Sequence, residues 1–98
     1  MITDKQFDDA FTAAGGRFIL TQYEEIANWK GSKADLIELM YLKNFDKVIT
    51  GAQTRVNSVL RIINNGRGKE ALEKILDSKT INKQHPEAYQ MALNLLHK

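Results

Sequence analysis

Apolar residues recur with a helical spacing along most of this 98-residue chain. From Thr3 to Ala14 they occur at positions i, i+3, i+4 and i+7, which places them on one face of a helix. Thr3 and Gln6 form the capping-box pattern that starts such a helix, and the Gly15-Gly16 pair ends it. No stretch shows the apolar–polar alternation of a strand bounded by turn residues. The pattern therefore predicts an all-α fold.

The same spacing marks out six helical segments and one polar interval. The predicted segments are Thr3–Ala14, Arg17–Trp29, Ser32–Asn44, Ala52–Asn65, Lys69–Leu76 and Pro86–His97. Residues 77–85 are polar apart from Ile81 and are predicted to form a loop. Because the connections are short, we expect residues 1–98 to form a single helical domain, a compact bundle or orthogonal array of five to six helices.

The third segment is unusual because it is apolar around more than half of its circumference. This pattern predicts a central helix that is covered on two sides. Val48 and Ile49, in the connection that follows, are expected to fill the gap beneath that loop. In the fourth segment, the helical spacing predicts core positions at Ala52, Val56, Val59, Leu60 and Ile63.

Basic residues are concentrated in the window from Lys47 to Lys69. This window contains five basic residues and no Asp or Glu, whereas nine basic and twelve acidic residues lie outside it. The net charge of +2 therefore conceals a positive surplus around the fourth segment. A surplus of this kind attracts the phosphate groups of nucleic acids.

The polar face of the fourth segment, with the basic residues just beyond it, is the candidate binding site. Arg can donate to guanine, Asn can pair with adenine, and Ser or Thr can bind phosphate. The predicted nucleic-acid-binding residues are Thr54, Arg55, Asn57, Ser58, Arg61, Arg67 and Lys69. The third and fourth segments would then form a helix-turn-helix-like pair. The connection between them is longer than the three or four residues usual in that motif.

Side chains suited to catalysis or metal binding are sparse in this sequence. There is no cysteine, and the two histidines, His85 and His97, lie in no metal-ligand motif. The adjacent carboxylates Asp8 and Asp9 diverge by about 100° on a helix, so this pair cannot form a two-carboxylate site alone. The sequence predicts no catalytic residues, no metal and no cofactor, and hence a protein that is not an enzyme. An enzyme would need carboxylates and arginines from separate helices to converge in a pocket.

Two classes of partner remain open. No apolar run approaches the roughly 18 residues of a membrane span, and the polar N-terminus lacks the pattern of a secretion signal. We therefore expect a cytoplasmic protein without a membrane partner. The leading hypothesis is a nucleic-acid-binding domain, either a regulator or an accessory to a nucleic-acid machine. The alternative is a protein-interaction domain or a self-associating bundle, because excess apolar surface on a small domain often marks an interface.

Overall fold

The computed structural model describes all 98 residues and consists of seven α-helices without any strand. In chain order the helices are α1 (Asp4–Ala14), α2 (Gly16–Ala27), α3 (Lys33–Leu42), α4 (Ile49–Asn64), α5 (Gly68–Asp77), α6 (Lys79–Gln84) and α7 (Ala88–Leu96). The Cα radius of gyration is 12.8 Å, close to the ~13 Å expected of a compact chain of this length. The predicted all-α class is confirmed.

The predicted number of five to six helices is too low because residues 77–85 are not all loop. The Ser78 hydroxyl accepts a hydrogen bond of 3.2 Å from the backbone N–H of Ile81 and so caps the start of α6. Asn82 in α6 donates to the carbonyl oxygens of Ile75 and Leu76 at the end of α5. A helix of six residues with one large apolar side chain is too short to show a helical period, so only its cap marks it in the sequence.

The central helix is α4 and not α3. Helix α4 packs against α1, α2 and α3 and also contacts α5, whereas the contacts of α3 are mainly with α4. The buried residues of α3 are Leu36, Ile37 and Met40. The prediction that the third segment is covered on two sides is therefore wrong. An apolar period reports how much apolar surface a helix has, but it does not report where the neighbouring helices lie.

Helix α2 connects the two halves of the fold. It contacts α1 and α4, and it also contacts α5 and α7, which pack closely on each other. Buried side chains from every helix except α6 join in one hydrophobic cluster. None of the seven helices is both long and apolar enough to cross a lipid bilayer.

The core positions of α4 differ from the prediction at the end of the helix. The buried residues are Ala52, Val56, Val59 and Ile62. Ile62 is only 1% exposed, whereas Ile63 and Leu60 are half-buried at the edge of the core. In the last turn, Ile62 therefore takes the buried position that the helical spacing assigned to Ile63.

The loop between α3 and α4 is filled by an aromatic side chain and not by the two residues expected there. The ring of Phe45 meets the ring of Phe18 in α2 edge-on, with 5.1 Å between the ring centroids. Val48 and Ile49 remain 59% and 49% exposed. The prediction that these two residues fill the gap beneath the loop is therefore wrong.

Candidate nucleic-acid interface

The seven predicted binding residues fall into three groups in the structure. Arg55 and Arg67 are bound to acidic side chains. The hydroxyls of Thr54 and Ser58 donate to the backbone carbonyls four residues earlier in α4. The remaining three are exposed and form no side-chain hydrogen bond within the chain; they are Asn57, Arg61 and Lys69.

Arg55 connects three parts of the fold. Its Nε donates to both carboxylate oxygens of Asp46, at 2.9 and 3.1 Å, and its Nη1 donates to the carbonyl oxygen of Ala14 at the end of α1. The guanidinium carbon lies 5.7 Å from the centroid of the Phe18 ring in α2. The side chains of Arg55 and Asp46 are only 27% and 17% exposed. The positive charge of Arg55 is therefore neutralised inside the fold.

Two glycines leave the space that this ion pair occupies. At Gly15, with φ of 85°, a Cβ atom would lie 2.9 Å from Nη1 of Arg55. At Gly51, in the first turn of α4, a Cβ atom would lie 2.7 Å from the carboxylate carbon of Asp46. Asp46 thus lies against the start of α4, where the helix dipole favours a negative charge. The ion pair depends on the absence of side chains at both positions.

Arg67 fixes the loop between α4 and α5 to the start of α1. Its Nη2 donates to Asp4 at 2.9 Å and to Glu70 at 2.6 Å, and its guanidinium carbon lies 4.2 Å from the centroid of the Phe7 ring. The side chain of Arg67 is only 14% exposed. Hydrogen bonding to Arg67 lowers the pKa of Glu70, and the same hydrogen bonding raises the pKa of Arg67. This arginine, like Arg55, has partners within the chain.

Arg61 is the one arginine of the basic window that forms no ion pair. Together with Asn57 and Ser58 it lines a recess of about 260 Å³ between α1 and α4. The α1 side of this recess consists of Asp9, Ala10 and Ala13. We call these six residues the α1–α4 groove. The structure thus brings together three of the seven predicted residues and separates them from the other four.

The α1 half of the groove was not predicted. Asp9 is exposed on α1, and its carboxylate forms an ion pair of 3.1 Å with Lys5, four residues earlier. Ala10 belongs to the predicted core stripe and is buried. Nothing in a helical period indicates which residues of two distant segments will face each other, so sequence reasoning had no signal for this part of the site.

The geometry gives the helix-turn-helix-like pair no support. A recognition helix must protrude to enter a major groove that is ~8.5 Å deep. Helix α4 packs against α1, α2 and α3 instead, and its exposed residues lie along one side of the helix. The connection from Leu42 to Ile49 also leaves six residues between the two helices, more than the three or four that are usual.

Comparison with known proteins gives no further guide to function. The chain matches no protein-family model, no curated protein and no solved structure. No group of three or more His, Asp or Glu side chains is arranged so that it could hold a metal ion. The function has to be inferred from the surfaces that the fold leaves exposed.

Replacement of Arg55 by Lys is expected to destabilise the fold, whereas the same change at Arg61 is not. Lys keeps the charge but lacks the planar fork that binds Asp46 and Ala14 together, so we expect Arg55→Lys to lower the free energy of unfolding by about 1–3 kcal/mol. Arg61→Lys, at an exposed site of the same helix, is expected to change it by less than about 0.5 kcal/mol. Urea denaturation of both variants measures this difference. Equal losses would contradict the structural role of Arg55.

Glu70→Gln is expected to remove an acid-sensitive part of the stability. Because the pKa of Glu70 is lowered from its ordinary value of 4.5, its pairing with Arg67 stabilises the fold above that pH and is lost as the pH falls through the folded-state pKa. The difference in free energy of unfolding between wild type and Glu70→Gln should be constant from neutral pH to about pH 5 and shrink below it. Urea denaturation at several pH values checks this, with Glu73→Gln on the exposed face of α5 as the control. A difference that widens on acidification would refute it.

Proposed function

We propose that the protein is a non-enzymatic nucleic-acid-binding domain whose contact surface is the α1–α4 groove. The observation that carries this proposal is the free guanidinium of Arg61 beside Asn57 and Ser58 in one recess. A guanidinium without an acidic partner can donate two parallel hydrogen bonds to a phosphate or to the edge of a guanine. The amide of Asn57 next to it adds donors and an acceptor for a base or a phosphate. The Ser58 hydroxyl donates its hydrogen to the carbonyl of Thr54 and so adds only an acceptor.

The shape of this surface favours an unpaired nucleotide over a base pair inside a duplex. Because α4 does not protrude, it is poorly suited to enter a major groove. The α1–α4 groove is an open recess of about 260 Å³, and a base that has turned out of its stack can lie against a surface of this kind. Single-stranded nucleic acids present bases in this way, with their hydrogen-bonding edges accessible. The proposed ligand is therefore a single strand.

The number of free cations limits the affinity that we expect. Within the basic window, only Lys47, Arg61 and Lys69 lack an acidic partner. Lys47 lies at the loop between α3 and α4, away from the α1–α4 groove. If Arg61 and Lys69 contact phosphates, the logarithm of the association constant should fall with the logarithm of the salt concentration with a slope of about −1.4 for a single strand. This is a modest dependence, so binding should be weak at physiological salt.

A second candidate function is protein interaction, and a separate observation favours it. Five large apolar side chains of the protein are exposed, and three of them lie near the loop between α3 and α4. These three residues are Leu42, Val48 and Ile49. Single exposed apolar residues are common, but three of them on the two sides of one short loop favour an interaction surface there.

Arg61→Glu is expected to abolish binding to a labelled single-stranded oligonucleotide, whereas Arg17→Glu is not. Both arginines are exposed and lack an acidic partner, and both variants change the net charge equally, but only Arg61 lines the α1–α4 groove. Fluorescence anisotropy at low and moderate salt measures the affinity, with a duplex of the same sequence for comparison. An equal loss in the two variants would indicate unspecific charge attraction. No binding by the wild type at low salt would refute the proposed function.

A further inference from the structure

Three exposed apolar side chains surround the loop between α3 and α4, and we call them the apolar corner. Leu42 is 68%, Val48 59% and Ile49 49% exposed. An open cavity of about 620 Å³ lies at this loop, and Leu42 is one of its lining residues, together with Tyr41 and Phe45. Burial of apolar surface is favourable by about 25 cal/mol per Å². At the apolar corner, this favourable free energy is not gained within the chain.

Two charged residues beside the apolar corner have opposite signs and no partner. Glu38 precedes Leu42 by four residues and so lies one turn away on the same face of α3. Lys47 lines the cavity with Leu42 and directly precedes Val48. Both side chains are exposed, and neither forms an ion pair.

The other charged residues of this region are already neutralised within the chain. Lys43 donates to Glu25 and, at 2.7 Å, to Gln22 in α2. Asp46 is bound by Arg55. The corner therefore presents apolar surface with one free negative charge and one free positive charge, and it has no net charge of its own.

We propose that the apolar corner is the interface of a two-fold symmetric dimer of this chain. In such an interface, residue i of one copy contacts residue j of the other, and j contacts i. Lys47 of each copy would then pair with Glu38 of the second copy, while Leu42, Val48 and Ile49 are buried between them. A second copy supplies the complementary pattern of charge and apolar surface when a two-fold axis brings Lys47 of one copy opposite Glu38 of the other. This inference rests on the second candidate function, protein interaction, and it is independent of nucleic-acid binding.

Because the proposed interface is two-fold symmetric, the pairing of Lys47 with Glu38 can be tested by exchanging their charges. Either Lys47→Glu or Glu38→Lys alone creates two repulsive pairs, whereas the double variant restores both attractive pairs with the signs reversed. A mixture of the two single variants also has only attractive pairs, because one copy then carries two acids at the interface and the other carries two lysines. Few alternative arrangements of the chains predict this pattern of loss and recovery.

Sedimentation equilibrium of the full chain, up to millimolar protein, measures the association. We expect the wild type to dimerise and each single variant to dissociate at least tenfold more readily. The double variant and the equimolar mixture of the single variants should recover the affinity to within a few-fold of the wild type. The matched controls are Glu73→Lys and Lys79→Glu, since both residues are exposed and unpaired but lie on α5 and α6. These controls should dimerise like the wild type.

The proposal is overturned if the wild type is monomeric throughout, if the single variants dimerise like the wild type, or if the mixture does not recover. The variant Leu42→Ser shows whether only the dimer proposal fails or whether the proposed protein-interaction function fails with it. If the wild type is monomeric and Leu42→Ser unfolds at the same urea concentration as the wild type, the dimer proposal fails, but the corner is not needed for folding and remains an interaction surface. If Leu42→Ser destabilises the monomer, the corner is part of the fold and both proposals fail. Oligonucleotide binding is measured separately and depends on neither outcome.

Discussion

The ion pair between Arg55 and Asp46 determines how the first four helices fit together. Arg55 extends from the middle of the central helix, and one guanidinium reaches the α3–α4 loop, the last carbonyl of α1 and an aromatic ring of α2. An apolar side chain could fill the same volume, but it could not bind a carboxylate and a carbonyl in fixed directions. Ion pairs of this kind are better suited to selecting one arrangement than to adding net stability. Gly15 and Gly51 fit the same interpretation, since any side chain there would meet the pair.

Because Arg55 is paired within the fold, the basic window carries less free positive charge than its sequence suggests. Along the sequence, the window from Lys47 to Lys69 looks like a surface that lacks acids. In the folded structure, acidic residues from outside the window form ion pairs with two of its arginines. Asp46 is the residue immediately before the window, and Asp4, which binds Arg67, lies 63 residues from it in the chain. A count of charges along the sequence cannot detect neutralisation by residues that are this distant. Only Arg61 among the three arginines remains available to a ligand.

The sequence was sufficient for the features that depend on neighbours along the chain. The helical period predicted the all-α class, and the capping box at Thr3 and Gln6 is present at the start of α1. Features that depend on tertiary contacts could not be predicted in this way. The apolar surplus of α3 predicts a central helix, but part of this surplus, Leu42, lies exposed at the surface. The groove likewise needed the position of α1 beside α4, for which Asp9 and Ala10 give no local signal.

Arg55 and Arg67 form ion pairs within the fold, whereas Arg61 remains free. The most direct test is the rate at which the Nε–H protons of the arginine side chains exchange with water, measured by NMR on the unmodified protein. The Nε–H groups of Arg55 and Arg67 donate to Asp46 and Glu70, so their protons should exchange slowly, whereas that of Arg61 should exchange rapidly. Slow exchange at Arg61, or rapid exchange at Arg55, would contradict this account of the fold and of the groove.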